Sequence, residues 1–491
     1  MTADLVVVGA GSGGFGAALA AARRGCSVVV VERSGAIGGN ANRCGVNNWE
    51  PVCGATGFPH EIYRRLEQIP GAAGIYGFGR HCVWQGTDAY PGGEHVLFPE
   101  RSYRDTMVRH GARSLADDEA FVRENLFGVV FEPRAYEAVL RQMLGETGRC
   151  RVMLGRTVAS AGASGGRLQS VTLDDGLQIE ADAFVDGTGD GDLARLAGCE
   201  LVSGQESRDA YGEPSAPDEP NDRVNAVTLM FRITAKPEPG IDPLPDDLAQ
   251  ERAVSKERDR AVACDWAQRF PLVVTVEYPN GDRNVNMLPT MDGREYLNEA
   301  RKPGGHERAY AECRRRLYAT WRHLQTNWPE FRSFAVDSIS PEIGVRESYR
   351  LVAERVLTEH AILRPIPEDD EEGVIAIADH ALDRHGEKGG AMELKHPFGV
   401  PFHCLVPRGY TNLLVACRAA GFSSIAASSC RLSRTMMQLG QAAGTACALA
   451  RDDNRDPSEV DLAALRRELR ADGVQLSWPM EPEVGRVVGL G

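Results

Sequence analysis

Two cysteines in one short stretch are the first residues here whose types and spacing suggest chemistry. The stretch GGNANRCGVNNWEPVCG spans residues 38–54 and contains Cys44 and Cys53, with eight residues between them. Two nearby thiols can form a disulfide that passes electrons to a bound cofactor. Between them lie Trp49 and Glu50, an aromatic ring and a carboxylate. Whether the thiols or this loop carries chemistry depends on what the flanking sequence binds.

The sequence before the cysteines is typical of a dinucleotide-binding element. An apolar run at residues 5–8 predicts a buried parallel strand. The pattern G-x-G-x-x-G follows, formed by Gly9, Gly11 and Gly14. In this pattern the first glycine permits a tight turn, the second lets the backbone approach a pyrophosphate, and the third lets a helix pack on the strand. A second apolar strand ends at Glu32, whose carboxylate can accept hydrogen bonds from ribose hydroxyls.

The composition is that of a globular protein. The chain has 491 residues, of which 43% are hydrophobic and 25% charged, so two domains or one large domain with an insertion are expected. The net charge of −14 argues against general binding to nucleic acid or anionic membranes. No apolar run is long enough to span a bilayer, and the first residues do not read as a signal peptide. An acidic run at residues 368–372 is predicted to be a solvated loop.

The twelve cysteines are scattered along the chain, without C-x-x-C or metal-finger spacing. We therefore expect reduced thiols, a cytoplasmic location and no metal site.

Two further segments lie far from the dinucleotide element along the chain. One is AFVDGTGDGD at residues 183–192, and the other is NLLVACR at residues 412–418, followed by GQAAG at residues 440–444. Together the three segments resemble the FAD-dependent oxidoreductases of the glutathione-reductase-like superfamily, related to fumarate-reductase-type flavoproteins. The resemblance implies FAD as the cofactor. An NAD-dependent enzyme would leave the second and third segments unexplained.

The resemblance also implies a fold and a set of cofactor contacts. We expect an α/β fold in which a Rossmann-like, three-layer FAD-binding domain is assembled from discontinuous segments and joined to an α+β substrate domain. The predicted FAD-binding domain covers residues 1–202 and 405–491, with an excursion at about 61–130, and the substrate domain covers residues 203–404. The residues expected at the cofactor are Gly9, Gly11, Gly14, Glu32, Arg33, Gly39, Asn40, Val158, Gly189, Asp190, Arg418, Arg431, Gly440 and Gln441.

The third segment is expected to act on the flavin ring. A helix that begins near Leu439 and Gly440 would direct its N-terminus at N1 and O2, where charge develops on reduction. Gly440 would permit close approach to the ring, or would instead allow tight packing between helices. Cys417 departs from the family pattern, which usually has glycine before the arginine of this segment.

Four residues are candidates for catalysis. His403 is placed to move a proton, and the alternative is a core histidine bonded to backbone. Arg346 offers a bidentate fork to a substrate carboxylate, and the alternative is a buried pair with Glu347 or Glu342. Trp49 and its neighbour Glu50 are expected beside the flavin.

Trp49 would stack on the flavin or the substrate, or would be a core residue. Arg431 and Arg434 face the flavin or the substrate, or are ordinary surface charges.

These features predict a dehydrogenase or oxidase that transfers hydride from a small organic metabolite to flavin N5. A fumarate-reductase-like reductase, or an electron-relay subunit without its own substrate, is the alternative. No second G-x-G-x-x-G occurs in residues 203–340. We therefore expect no NAD(P)H domain and an acceptor that is oxygen, a quinone or a protein carrier. The missing domain and the eight-residue spacing argue against a redox disulfide between Cys44 and Cys53.

Overall fold

The computed structural model describes residues 1–50, 53–77, 94–107, 120–121, 124–249, 272–288, 290–367, 373–384 and 391–490. The acidic run at residues 368–372 lies outside the described residues.

The strands are β1 (Thr2–Val8), β2 (Val28–Glu32), β3 (Asn48–Trp49), β4 (Ala73–Gly77), β5 (Glu94–His95), β6 (Phe127–Phe131), β7 (Cys150–Leu154), β8 (Val158–Ser164), β9 (Arg167–Leu173), β10 (Gln178–Asp186), β11 (Leu201–Val202), β12 (Phe231–Ala235), β13 (Leu272–Glu277), β14 (Arg283–Leu288), β15 (Phe334–Ile339), β16 (Arg350–Leu351), β17 (Val374–Ala378), β18 (Leu382–Asp383), β19 (Ala391–Met392), β20 (Phe398–Pro401) and β21 (Leu413–Val415).

The helices include α1 (Ser12–Arg23), α2 (Asn40–Arg43), α3 (Phe58–Leu66), α4 (Arg104–Met107), α5 (Pro133–Glu146), α6 (Asp192–Ala197), α7 (Arg208–Tyr211), α8 (Gly293–Ala300), α9 (Gly305–Asn327), α10 (Glu359–Ile362), α11 (Ser424–Ser429), α12 (Ser433–Asp452), α13 (Leu462–Ala471) and α14 (Pro482–Val488).

A seven-stranded sheet organises the part of the chain that carries the glycine motif. Its order is β7-β2-β1-β10-β9-β8, and β21 also pairs with β10. The strands β7, β2, β1, β10 and β21 are parallel, whereas β8 and β9 are antiparallel additions. The apolar residues 5–8 of β1 and 28–31 of β2 are buried, as expected of strands covered on both faces. All five parallel strands direct their carboxyl ends at one edge, which is where ligands bind in open α/β sheets.

A second sheet has its own hydrophobic core. Its order is β15-β12-β14-β13-β5, and its strands pack with the long helix α9 around Phe231, Val285 and Trp321. The two sheets and their separate cores confirm the predicted α/β class with a second sheet-and-helix layer. The boundaries at residues 202 and 405 stay a prediction.

The helices α1 and α12 pack backbone against backbone through glycines. A Cβ on Gly440 would overlap the carbonyl of Gly13, and one on Gly444 would overlap the carbonyl of Ala17. Gly16 lies in the same way on the carbonyl of Met437. We call this contact the glycine interface. It corrects the expected helix start, because α12 begins at Ser433 rather than near Leu439. Gly440 therefore lies within the helix, and its lack of a side chain allows the tight packing between helices that was the second alternative.

Candidate active site

One cavity of about 880 Å³ lies at the carboxyl edge of the central sheet. It is lined by the glycine-rich loop, by the N-terminal residues of α1 and α12, and by residues of the second sheet such as Met230 and Asn286. Arg346, Arg434 and most of the predicted cofactor residues also line it. The cavity thus brings together segments that the sequence places hundreds of residues apart.

The glycine motif has the local geometry that its pattern predicts. Gly9 adopts a φ of +89°, and a Cβ there would meet the backbone of Gly187 at 2.7 Å. A Cβ on Gly14 would overlap the carbonyl oxygen of Gly9, so helix α1 lies directly on the turn. Gly11 has more room, since its nearest neighbour would be the carbonyl oxygen of Gly187 at 3.7 Å. Gly39 lies over Gly11, because its own Cβ would be 2.7 Å from the Gly11 Cα.

The N-terminus of α1 is open toward the cavity. Gly11 is the N-cap, and no side chain caps the helix. Gly11, Ser12 and Gly13 all line the cavity. Backbone N–H groups in a first turn without caps, together with the helix dipole, form a site for an anion such as a phosphate. The Glu32 carboxylate accepts hydrogen bonds from the Ala10 N–H at 2.7 Å and the Ser34 N–H at 2.8 Å.

An ion pair joins the second and third family segments. Arg418 Nη2 lies 2.6 Å from Asp190 Oδ1, and Ser348 Oγ also donates to that carboxylate. Burial alone would raise the pKa of Asp190, but Arg418 and the Ser348 hydrogen bond hold it below its usual value. A Cβ on Gly189 would lie 2.7 Å from the Arg418 guanidinium, so the glycine of GTGD leaves room for this pair.

These lining residues form what we call the nucleotide group: Gly9, Gly11, Glu32, Arg33, Gly39, Asn40, Val158, Gly189, Asp190 and Arg418. Arg33 lies 3.8 Å from the carboxylate of Glu342, and Arg43, a further lining residue, lies 3.0 Å from it. Each of these arginines therefore has an acidic partner supplied by the chain.

Five other side chains form what we call the acid–base cluster: Glu50, Arg346, His380, Asp383 and Arg431. His380 Nε2 lies 3.6 Å from Glu50 Oε2. Arg431 Nη2 lies 2.7 Å from Asp383 Oδ2, and its Nε donates to the carbonyl of Ser428. The cluster combines an imidazole, two carboxylates and two guanidinium groups beside the same cavity that the glycine loop lines.

Arg346 belongs to no ion pair in the described part of the chain. The predicted alternative, a pair with Glu347 or Glu342, is wrong, because Glu347 pairs with Arg350 at 2.7 Å and Glu342 pairs with Arg43. Arg346 instead donates from Nη1 to the carbonyl of Ala226 at 3.1 Å and to Thr228 Oγ1 at 2.7 Å.

Arg434 is a second cation with an unusual environment. Arg434 has only 2% of its surface exposed to solvent, and its guanidinium lies 5.6 Å from the centre of the Trp49 ring. Within the described residues, Nε and Nη1 of Arg434 have no hydrogen-bond acceptor. Arg431 is also largely buried, with 11% of its side chain exposed. The alternative that both arginines are surface charges is therefore wrong.

Several predicted residues lie away from the cavity lining. Trp49 is fully buried beside Tyr103, Phe131 and Tyr136, as the core alternative describes. His403 lies in the short 3₁₀ helix at residues 402–405, with its ring beside that of Phe402.

Gly14 and Gly440 serve backbone packing. The Gln441 side chain accepts from the Phe58 N–H and donates to Asp472. A direct cofactor or catalytic contact for these residues stays a prediction that this geometry does not support.

A family model described as "FAD dependent oxidoreductase" matches residues 4–469. The chain belongs to this family. Its members are flavoenzymes, so the protein is an oxidoreductase and FAD is its cofactor. The predicted family and cofactor are confirmed.

Several solved structures match this chain at low sequence identity. A geranylgeranyl bacteriochlorophyll reductase-like protein from Thermoplasma acidophilum is 12% identical, with a TM-score of 0.46 over 100% of this chain and 87% of that one. The myxobacterial chondrochloren halogenase is 14% identical, with a TM-score of 0.41 over 96% and 79% of the two chains. An L-amino acid deaminase from Proteus myxofaciens is 12% identical, with a TM-score of 0.40 over 94% and 92%. A search of curated protein sequences gives no match. We base no conclusion about substrate on these similarities.

The nucleotide group fits the cofactor of this family. The open N-terminus of α1 and the glycines beside it form a cradle that side chains would fill, and Glu32 lies at the end of β2, where a carboxylate is expected to accept from ribose hydroxyls. A second helix N-terminus, that of α12, is also without a side-chain cap and contributes Leu432, Ser433 and Arg434 to the lining. FAD would thus be held by two helix N-termini and the glycine loop, with Asp190 and Arg418 beside it.

The two cysteines of the opening stretch have different surroundings. Cys44 lines the cavity, and its Sγ lies 3.3 Å from Asn40 Oδ1 and 3.4 Å from the carbonyl of Ile343. Burial raises the pKa of the Cys44 thiol to about 12. Cys53 belongs to a separate apolar cluster with Val374 and Ile377. Cys44 and Cys53 form no disulfide with each other.

Sequence reasoning missed His380 and Asp383. Both follow the buried strand β17, whose sequence VIAIA is apolar throughout and ends directly before Asp379. A polar group at the end of a buried strand is a recognisable signal for a site, and the sequence ADHALD at residues 378–383 carries it.

None of the helices in the described part of the chain has the length and apolar character that crossing a membrane requires. The same residues contain no group of three or more His, Cys, Asp or Glu side chains placed to bind a metal.

Proposed function

We propose that the protein oxidises a small organic molecule by transfer of a hydride to N5 of FAD, with the acid–base cluster taking up the accompanying proton. The observation that carries this proposal is the placement of the His380–Glu50 pair in the same cavity as the nucleotide group. FAD supplies the hydride acceptor when bound. The remaining chemistry is to hold the donor and to remove one proton from it.

The His380–Glu50 pair has the properties that proton removal needs. At neutral pH, imidazole is a stronger base than a carboxylate, so His380 is the proton acceptor of the pair. The carboxylate of Glu50, 3.6 Å from Nε2, stabilises the protonated imidazole. About a third of the Glu50 side chain (33%) is exposed, whereas His380 is nearly covered, so the pair borders the cavity with its imidazole shielded from solvent.

The balance of the reaction is that of a two-electron oxidation. A donor carbon loses its C–H bond as hydride, and the neighbouring N–H or O–H group loses a proton to His380. A double bond forms between the two donor atoms. Oxygen, a quinone or a protein carrier then accepts the electrons, as the sequence predicts, and we propose no order among these acceptors.

Anaerobic titration of the FAD-loaded protein with a panel of amines, alcohols and their acids tests the activity. We expect at least one compound to bleach the visible flavin spectrum and air to restore it. A protein that no metabolite bleaches, but that a chemical reductant reduces normally, would be a relay subunit. A protein that reoxidises on addition of an unsaturated acid, and not with air, would be a reductase.

Exchange of histidines tests the residue assignment. His380→Asn should lower the rate of flavin reduction roughly 100-fold and leave the oxidised spectrum unchanged, because it removes the base and keeps a polar side chain. His403→Asn is the matched control, since His403 lies outside the cavity lining. If His403→Asn slows reduction and His380→Asn does not, His403 is the base and the assignment of His380 fails.

A further inference from the structure

The arginines that line the cavity differ in one respect. The lining contains Arg33, Arg43, Arg156, Arg346, Arg418, Arg431 and Arg434. Five of the seven have a carboxylate of the chain within 4 Å: Arg33, Arg43, Arg156, Arg418 and Arg431. Arg346 and Arg434 have none among the described residues. Arg434 is covered by the Trp49 ring, whereas Arg346 is only partly buried.

The contacts of Arg346 fix its guanidinium and leave one edge for a ligand. Both of its hydrogen bonds start from Nη1, and both acceptors, the Ala226 carbonyl and Thr228 Oγ1, are neutral. Within the described residues, Nε and Nη2 donate no hydrogen bond. These two nitrogens form the planar edge that binds both oxygens of a carboxylate. The side chain is thus held in place without being neutralised.

The acidic side chains nearest to Arg346 do not neutralise its positive charge. Asp383 and Glu50 act on Arg346 electrostatically, but both lie beyond ion-pair distance, one bonded to Arg431 and the other beside His380. Burial and the neighbouring charge of Arg431 lower the pKa of Arg346. A partly buried cation beside another cation is destabilised unless an anion joins it. A bound anion would supply the charge that the chain does not.

We propose that the substrate is a small organic acid whose carboxylate binds the Nε and Nη2 edge of Arg346. The inference rests on the proposed function for the statement that this ligand is the substrate. It names the ligand class, a carboxylate, and the position of the oxidised carbon, which lies within the same molecule on the side of His380 and Glu50. Because FAD occupies part of the 880 Å³ cavity, the acid is small.

Binding of simple carboxylates to the oxidised, FAD-loaded protein tests this without turnover. Acetate, benzoate and malonate, with acetamide and benzamide as neutral partners, would be titrated while the visible flavin spectrum is recorded. We expect a saturable spectral change with at least one acid and none with its amide. Arg346→Gln should weaken that binding at least tenfold.

Two further variants separate charge from geometry. Arg346→Lys keeps the cation but loses the fork, so we expect intermediate affinity. Arg156→Gln is the matched control, because Arg156 lines the cavity but is paired with Asp175 at 2.6 Å, and its substitution should leave carboxylate affinity unchanged. If Arg346→Gln fails to fold, Arg346→Lys decides the question: affinity equal to that of the wild type in the lysine variant contradicts bidentate binding.

The outcomes distinguish this inference from the proposed function. If neutral or cationic metabolites reduce the flavin and no carboxylate binds, the oxidase or dehydrogenase activity stands and the anion inference is wrong. If carboxylates bind through Arg346 but no metabolite reduces the flavin, the anion site stands and the proposed activity is wrong. Equal affinity in wild type and Arg346→Gln overturns the inference in either case.

Discussion

The nucleotide group and the acid–base cluster line one cavity but balance their charges differently. In the nucleotide group, Arg418 and Arg33 each have a carboxylate of the chain beside them. The contacts offered to a phosphate there are backbone N–H groups at the start of α1. In the cluster, Arg346 bonds only to neutral acceptors. The difference is what we expect if backbone N–H groups and the helix dipole bind the cofactor phosphates and the uncompensated charge of Arg346 binds a second ligand, as proposed above.

The largest effect is expected where backbone touches backbone in the nucleotide group. Gly14→Ala would push a Cβ into the carbonyl of Gly9, so we expect a loss of more than about 4 kcal/mol in the free energy of unfolding and no retained FAD. Gly11→Ala is the control for the unfolding measurement only, because its Cβ would have 3.7 Å to the nearest protein atom but would lie where a pyrophosphate is expected to approach. Thermal unfolding and FAD content after gel filtration measure both. A Gly14→Ala protein that melts like the wild type would show that this contact does not define the site.

Removing each arginine tests the difference in charge balance directly. Arg418→Met leaves Asp190 in the protein without its partner, and we expect a cost of about 3 kcal/mol in the free energy of unfolding. Arg346→Met breaks no ion pair, and the relief of an unpaired charge offsets its two lost hydrogen bonds, so we expect less than about 1 kcal/mol. Urea unfolding at pH 7 measures both. If both substitutions lower the free energy of unfolding by the same amount, the two groups do not differ in charge balance.

The ion pair between Asp190 and Arg418 also predicts that the free energy of unfolding depends on pH. Arg418 holds the pKa of Asp190 below its unfolded value, so the stabilisation is present above about pH 4 and is lost as the pH falls through the folded-state pKa. The difference between wild type and Arg418→Met should therefore shrink as the pH is lowered below about 4. A difference that grows on acidification would mean that Asp190 is not stabilised by Arg418.

The smallest effect is expected at Cys44, which lies beside the nucleotide group. Its thiol pKa of about 12 leaves almost no thiolate at pH 8. Cys44→Ala should change the rate of flavin reduction by less than about twofold. Titration of thiols in the unfolded protein, with and without prior reductant, should give the same number. If two fewer thiols are titrated without reductant than with it, the protein contains a disulfide and the prediction of reduced thiols is wrong.

Local sequence predicted the geometry of the glycine motif, because its parts are close together in the chain and each glycine has a steric reason. The turn at Gly9 and the acid at Glu32 belong to one strand–helix–strand unit. GTGD and the arginine of the third segment were recognised by resemblance, and their pairing at 2.6 Å is a result of the fold.

The acid–base cluster was predicted only in part, since its five residues come from four distant segments. The sequence predicts Arg346 and Glu50 as catalytic candidates and Arg431 as a cofactor contact. It does not single out His380 or Asp383, and it favours His403 as the base. Both histidines follow buried strands, so the local pattern does not distinguish them. Tertiary packing does, because β17 ends at the cavity and residues 402–405 turn into the core. The start of α12 was also missed, since its N-cap residue, Leu432, has no side chain that can cap the helix and mark its start.

The glycine interface has a consequence for the order in which the protein forms. Gly13 on α1 touches Gly440 on α12, so the packing of the glycine motif is completed only by a helix far later in the sequence. The residues between α1 and α12 form a long loop, and contacts between segments so far apart in sequence form slowly. Until these contacts form, the apolar face of α1 is exposed, and one of the two helix N-termini proposed to bind FAD is absent. If that proposal holds, stable cofactor binding has to wait until α12 has been synthesised and has packed on α1.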